Sequence, residues 1–86
     1  MAEPLSELRR KSAEAIEAIS QYTSVKEALS EILAAYEVSS PSELLEKIRS
    51  GELPEHPTYE DYLEAKSLWE DLEDLRKRLR EVVESL

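Results

Sequence analysis

The last third of the chain, residues 58–86, contains no glycine and no proline, and its apolar residues recur at alternating spacings of three and four. This repeat places them on one side of an α-helix and is typical of a helix in a coiled coil or bundle. The stripe consists of Ala65, Leu68, Leu72, Leu75, Leu79, Val82 and Leu86. We therefore expect one long C-terminal helix, residues 59–86, whose apolar side needs a neighbour.

Two shorter helices are predicted in the first half of the chain. Pro4 suits a first helical position, and apolar residues at helical spacing predict a helix over residues 4–22. Its stripe is Leu5, Leu8, Ser12, Ala15, Ile19 and Tyr22, widened by Ile16. Ser24 and Glu27 have the pattern of a capping box, which predicts a second helix over residues 25–37. One continuous helix is the alternative, because Thr and Ser weaken a helix without forbidding it.

The clearest local signal lies in the middle of the chain. The pattern there is that of a helix start. Ser40 is a hydroxyl N-cap, Pro41 follows in the first turn, and Glu43 is a carboxylate that can bond back to the N-cap residue. They predict a helix over residues 41–50, which Gly51 ends in a left-handed conformation. Apolar and polar residues never alternate over a strand's length, so we predict an all-α fold, a small bundle of about four helices.

Composition limits the classes of function. We predict a single helical domain, residues 1–86. At this length of 86 residues, one hydrophobic core is only just sufficient for a stable fold. The absence of cysteine excludes disulfides and thiolate metal sites. No apolar run approaches a membrane span or a secretory signal, so we expect a soluble, cytoplasmic protein. A net charge of −9 disfavours nucleic acid and suits a basic protein partner, although it also serves solubility alone.

The charges of the C-terminal helix form two blocks. Glu70, Asp71, Glu73 and Asp74 precede Arg76, Lys77, Arg78 and Arg80. In a second copy turned antiparallel about Leu75, Glu70 faces Arg80 and Glu73 faces Lys77, whereas a parallel copy stacks like charges. We therefore predict an antiparallel homodimer, whose interface contains the apolar stripe with Glu70, Glu73, Lys77 and Arg80. The alternative is that the blocks pair with the first helix or with solvent.

Three aromatic residues lie near one face of the same helix. Tyr59, Tyr62 and Trp69 are of the types that dominate protein interfaces, so they are candidate partner contacts. The simpler interpretation is that they dock the helix onto the preceding helices, because a chain without phenylalanine has few other large core residues.

Two glutamate pairs raise the question of metal binding. Glu43, Glu46, Glu70 and Glu73 form pairs at a spacing of three. This set resembles the helical nucleotide pyrophosphohydrolases, in which two such pairs hold magnesium, and the resemblance implies metal-dependent nucleotide hydrolysis. His56 is the only histidine and has no partners at ligand spacing, so the residues themselves predict no metal site.

The sequence favours a function without catalysis. A single glycine excludes a glycine-rich phosphate loop, and no hydroxyl has a credible histidine base. We therefore expect a small acidic protein-interaction module that forms a helical homodimer and needs no cofactor. Two alternatives are an antitoxin-like or inhibitory subunit that masks a basic partner, and the pyrophosphohydrolase that the glutamate pairs imply.

Overall fold

The structure, a computed structural model, describes residues 4–85. This part of the chain forms three helices and no strand: α1 (Pro4–Ala35), α2 (Pro41–Arg49) and α3 (Thr58–Glu84). The all-α prediction is confirmed, but the described residues contain three helices rather than four. The predicted contact at Leu86 lies outside them.

α1 runs without a break through the segment where a boundary was predicted. Thr23 lies inside the helix, and its Oγ1 donates a hydrogen bond to the carbonyl oxygen of Ile19 at 3.0 Å. The preceding turn therefore satisfies this hydroxyl. Tyr22 and Val25 are both half-buried and lie three residues apart, so the packed face continues in phase across the predicted break. Ser24 is an exposed residue within α1 and does not begin a helix.

α1 and α3 lie side by side and antiparallel. At one end, Lys11 Nζ donates a hydrogen bond to the carbonyl oxygen of Ser85 at 2.8 Å. At the other end, the hydroxyl of Tyr36 donates to the carboxylate of Asp61. The result is a rod 63 Å long and 16 Å across. We name the first end the distal end and the second, which carries the short helix, the α2 end.

The hydrophobic core is concentrated at the α2 end. Leu44 of α2 is completely buried and belongs to one cluster with Leu29, Leu33, Val38 and Ala65. Around this cluster pack the half-buried residues Ile32, Tyr36, Ile48, Leu53, Tyr62, Leu68 and Leu72. α2 therefore packs against α1 and α3 as a third helix at this end of the hairpin.

The distal half of α1 differs from the predicted packing. Leu5, Leu8, Ile16 and Ile19, which we name the distal stripe, are 62%, 52%, 68% and 53% exposed. The more covered residues of this half are instead Lys11, Ala15, Ala18 and Tyr22. Leu5 and Leu8 lie beyond the end of α3, because Lys11 already contacts Ser85. Ile16 and Ile19 are exposed because two patterns of three and four overlap in this helix, and a single neighbouring helix covers only one of them.

The ends of α2 follow the sequence signals closely. The Glu43 N–H donates to Ser40 Oγ at 3.2 Å, with Pro41 as the first helical residue, as predicted. The carboxylate of Glu43 accepts from the N–H and hydroxyl of Ser39, at 2.9 and 2.8 Å, rather than from the amide of Ser40. Gly51 has a φ of 80°, which confirms the predicted left-handed stop.

α1 ends in a left-handed turn that lacks the usual glycine. The N–H of Val38 donates to the carbonyl of Leu33 at 3.0 Å, and that of Glu37 to the carbonyl of Ala34 at 3.1 Å. These two bonds form a Schellman motif, whose left-handed residue is Glu37 with a φ of 55°. The helix therefore stops at Ala35, two residues before the predicted end.

Candidate interaction surfaces

The apolar stripe of α3 lies on the side of the helix that packs against α1 of the same chain. Ala65 is completely buried, so it has no surface left for a partner in this arrangement. Leu68, Leu72, Leu75, Leu79 and Val82 remain half-buried. One neighbouring helix therefore covers this stripe only in part.

A groove of about 370 Å³ lies over the middle of the stripe. It is lined by Gln21, Val25, Asp71, Asp74, Leu75 and Arg78. Val25 and Leu75 supply its apolar surface. Along α3, Asp71 and Asp74 precede Leu75 and Arg78 follows it. If a second copy lies antiparallel over this groove, the acidic residues of each copy therefore face the basic residue of the other.

The charged residues predicted for the interface are all exposed. They are Glu70, Glu73, Lys77 and Arg80. Glu73, Arg76, Lys77 and Arg80 line a shallow recess of about 210 Å³ on α3. The structure therefore leaves these side chains accessible, on a different side of α3 from Asp71, Asp74 and Arg78.

One polar contact links α1 and α3 between the two ends of the rod. Arg76 Nη2 donates a hydrogen bond to Tyr22 Oη at 3.4 Å. This bond, with the charges of Arg76 and Lys26, lowers the pKa of Tyr22, and the same bond raises the pKa of Arg76. The Lys26 ammonium also lies 6.0 Å from the centre of the Tyr22 ring. Sequence spacing alone did not reveal this contact, because it joins residues far apart in the chain.

The three aromatic residues do not share one environment. Tyr62 is half-buried and packs against the core, as the simpler interpretation expected. Tyr59 and Trp69 are 39% and 38% exposed, and the Tyr59 and Tyr62 ring centres are 5.7 Å apart. Tyr62 and Trp69 also line a notch of about 250 Å³ with Lys66 and the first residues of α2.

The structure does not bring the glutamate pairs together. Glu43, Glu46, Glu70 and Glu73 are all exposed. Across residues 4–85, no three carboxylate or histidine side chains lie close enough to hold a metal ion. The arrangement that the resemblance to pyrophosphohydrolases implies is therefore absent from this part of the chain. His56 is exposed, and its Nδ1 lies 3.0 Å from a carboxylate oxygen of Glu60.

Charge is distributed unevenly along the rod. Residues 21–75, which include the α2 end, carry fourteen acidic and four basic side chains, a net charge of −10. Residues 4–20 and 76–85, which meet at the distal end, carry seven basic and five acidic side chains, a net charge of +2. The distal stripe therefore lies at the positively charged end of an acidic molecule. This polarity emerges only when the two ends of the chain are placed together.

The described fold is an antiparallel helical hairpin with a short third helix packed at one end. In this range, none of the helices combines the length and apolar character that crossing a membrane requires. Residues 14–85 match the model of the Uncharacterized protein MJ0235 family, and the chain belongs to that family. No curated protein and no solved structure matches it.

Proposed function

We propose that the protein is a non-catalytic, acidic protein-interaction module that acts in the cytoplasm as an antiparallel homodimer. The observation that carries the proposal is the incomplete burial of the apolar stripe on α3. Leu68, Leu72, Leu75, Leu79 and Val82 keep exposed surface after α1 has packed against them. A second copy that covers this surface removes apolar area from water, which is the main favourable term in protein association.

The charges beside the stripe support a two-fold arrangement about Leu75. Such an axis brings Asp71, on the rim of the groove over Leu75, near Arg78 of the other copy. The predicted pairs of Glu70 with Arg80 and of Glu73 with Lys77 lie on the other side of α3 and are not part of this contact. Complementary charges of this kind select the antiparallel orientation and disfavour the parallel one.

Charge exchange at exposed positions provides the test. Sedimentation of the unaltered protein at micromolar concentration should give the mass of a dimer. Asp71→Lys and Arg78→Glu should each weaken the dimer because like charges then meet, and the double variant should restore it. Glu70→Lys, an exposed change on the opposite face of α3, is the matched control. A monomeric unaltered protein contradicts the proposal.

A second candidate is the masking of a basic partner protein. The concentration of fourteen acidic against four basic side chains in residues 21–75 favours it. The test is co-purification with a basic product of a neighbouring gene. A complex that persists at high salt supports the masking role, whereas one that dissociates at high salt reflects general attraction between opposite charges.

A further inference from the structure

We propose that the distal half of the groove between α1 and α3 is a docking site for an acidic amphipathic helix of another protein. On α3 the site consists of Arg76, Arg80 and Val83, which lie beside Ile16 and Ile19 of the distal stripe. Leu5 and Leu8 extend the site along the turns of α1 that project beyond α3, because Lys11 already lies at Ser85. The site lies on a different side of the hairpin from the groove over Leu75. The proposal therefore does not depend on the homodimer.

The position of α2 shows that this side of the hairpin accommodates a short amphipathic helix. α2 is an amphipathic helix of nine residues, and its Leu44 is completely buried in the cluster with residues of α1 and α3. Its first residue, Pro41, lines the notch with Tyr62 and Trp69. The face of α3 next to α2 continues through Tyr62, Lys66, Trp69, Glu73, Arg76 and Arg80, which are spaced by three and four. Beyond α2 this face remains exposed.

The contact between Tyr22 and Arg76 shows which flank of α1 borders the same face. Ile19 lies one turn before Tyr22, and the remaining residues of the distal stripe continue toward the N-terminus at helical spacing. All four aliphatic side chains of this stripe are more than half exposed, and Val83 of α3 is 60% exposed. The stripe spans residues 5–19, or about 22 Å of helix. Leu5 and Leu8 form one exposed pair and Ile16 and Ile19 another, with Ser12 between the pairs on the same face. Exposed apolar side chains that line up along one face of a helix mark a binding site more often than scattered ones do.

Charge indicates the chemistry of the partner. The acidic residues of this half of α1 are Glu7, Glu14 and Glu17, whose spacing places them on a face well away from the stripe. The residues that border the site are Arg9, Arg76, Lys77 and Arg80, with Glu73 and Glu84 as the acidic members. This excess of positive charge complements a helix that carries leucines on one face and glutamates beside them.

The four isoleucines of the chain provide the assay. Ile16 and Ile19 lie in the stripe, whereas Ile32 and Ile48 are half-buried near the α2 end. Methyl-labelled protein is titrated with a synthetic helix of leucines at helical spacing and glutamates elsewhere. The signals of Ile16 and Ile19 should shift while the other two stay in place. A peptide with lysine in place of glutamate should bind at least about tenfold more weakly, or about 1.4 kcal/mol.

Surface variants complete the test. Leu8→Ser combined with Ile19→Ser should abolish the shifts at Ile16 without changing the circular dichroism spectrum, because both positions are exposed. Leu63→Ser, also exposed but outside the site, should leave binding intact. Equal binding of the lysine peptide, or equal shifts at all four isoleucines, overturns the proposal.

Two further controls identify other occupants of the stripe. Shifts at Ile16 and Ile19 that follow protein concentration alone indicate a second copy on the stripe. Shifts with vesicles of phosphatidylcholine and phosphatidylglycerol, but not with the glutamate peptide, indicate a lipid surface. Either result overturns the assignment to a partner helix.

Discussion

The hydroxyl of Tyr36, just beyond the end of α1, donates a hydrogen bond to the carboxylate of Asp61 in the first turn of α3. The bond joins the two long helices at the α2 end, where Tyr36 also packs against the core. Hydrogen bonding to Asp61, burial and the negative charge of that carboxylate together raise the pKa of Tyr36. The relative position of α1 and α3 at this end is therefore coupled to the protonation of the Tyr36 phenol.

Removal of this hydroxyl should destabilise the hairpin. We expect Tyr36→Phe to lower the free energy of unfolding by about 1–3 kcal/mol, because the bond is made to an ionised carboxylate. Chemical denaturation measures the change, and Tyr59→Phe, at a position that is 39% exposed, is the control. In a double-mutant cycle, Tyr36→Phe should cost little once Asp61 is asparagine. Equal losses in both backgrounds would show that the two side chains are not coupled.

Tyr22 and Tyr36 should ionise in a defined order. Tyr22 has its pKa lowered by the hydrogen bond from Arg76, whereas the pKa of Tyr36 is raised above its ordinary value of 10.0. Tyr22 should therefore ionise before Tyr36 in an alkaline titration followed by NMR of labelled tyrosine rings. The stabilising contribution of Tyr36 is complete below pH 10.0 and disappears as the pH rises through its folded pKa. Arg76→Gln should raise the pKa of Tyr22 and leave Tyr36 unchanged.

Replacing Glu37 with glycine should stabilise the C-terminal end of α1. Glu37 has a φ of 55°, a left-handed conformation that costs most residues energy and glycine almost none. We expect Glu37→Gly to raise the free energy of unfolding by about 1 kcal/mol. Ala34→Gly, inside the last turn, should lower it by a similar amount because the helix interior disfavours glycine. Thermal unfolding measures both, and destabilisation by Glu37→Gly would contradict the left-handed turn.

The cap of α2 should be visible in the titration of one carboxyl group. The N–H and hydroxyl of Ser39 both donate to Glu43 and lower its pKa below the ordinary value of 4.5. Its stabilising contribution is therefore present above pH 4.5 and disappears as the pH falls through the folded pKa. Ser39→Ala should raise this pKa only in part, since the backbone bond remains. NMR titration of Glu43 measures the shift, and Ser42→Ala, at an exposed position, should leave it unchanged.

Local signals in the sequence predicted the parts of the fold that depend on neighbouring residues. Ser40 and Pro41 begin α2, and Gly51 ends it, because capping and backbone conformation involve contacts within a few residues. The long repeat on α3 likewise predicted its packed side. Similar reasoning failed at Glu37, because a left-handed residue other than glycine carries no clear signature in the sequence.

Only the tertiary structure decided which apolar stripe of α1 is covered and where charge accumulates. Ile19 and Ala18 are adjacent in the chain, yet Ala18 is buried and Ile19 is largely exposed. The choice depends on the direction from which α3 approaches, which is a contact between residues distant in sequence. The same antiparallel pairing brings the basic segments at residues 9–11 and 76–80 into the same half of the rod. By itself the sequence determined that the chain is helical and how α2 begins and ends, because those features arise from local energies.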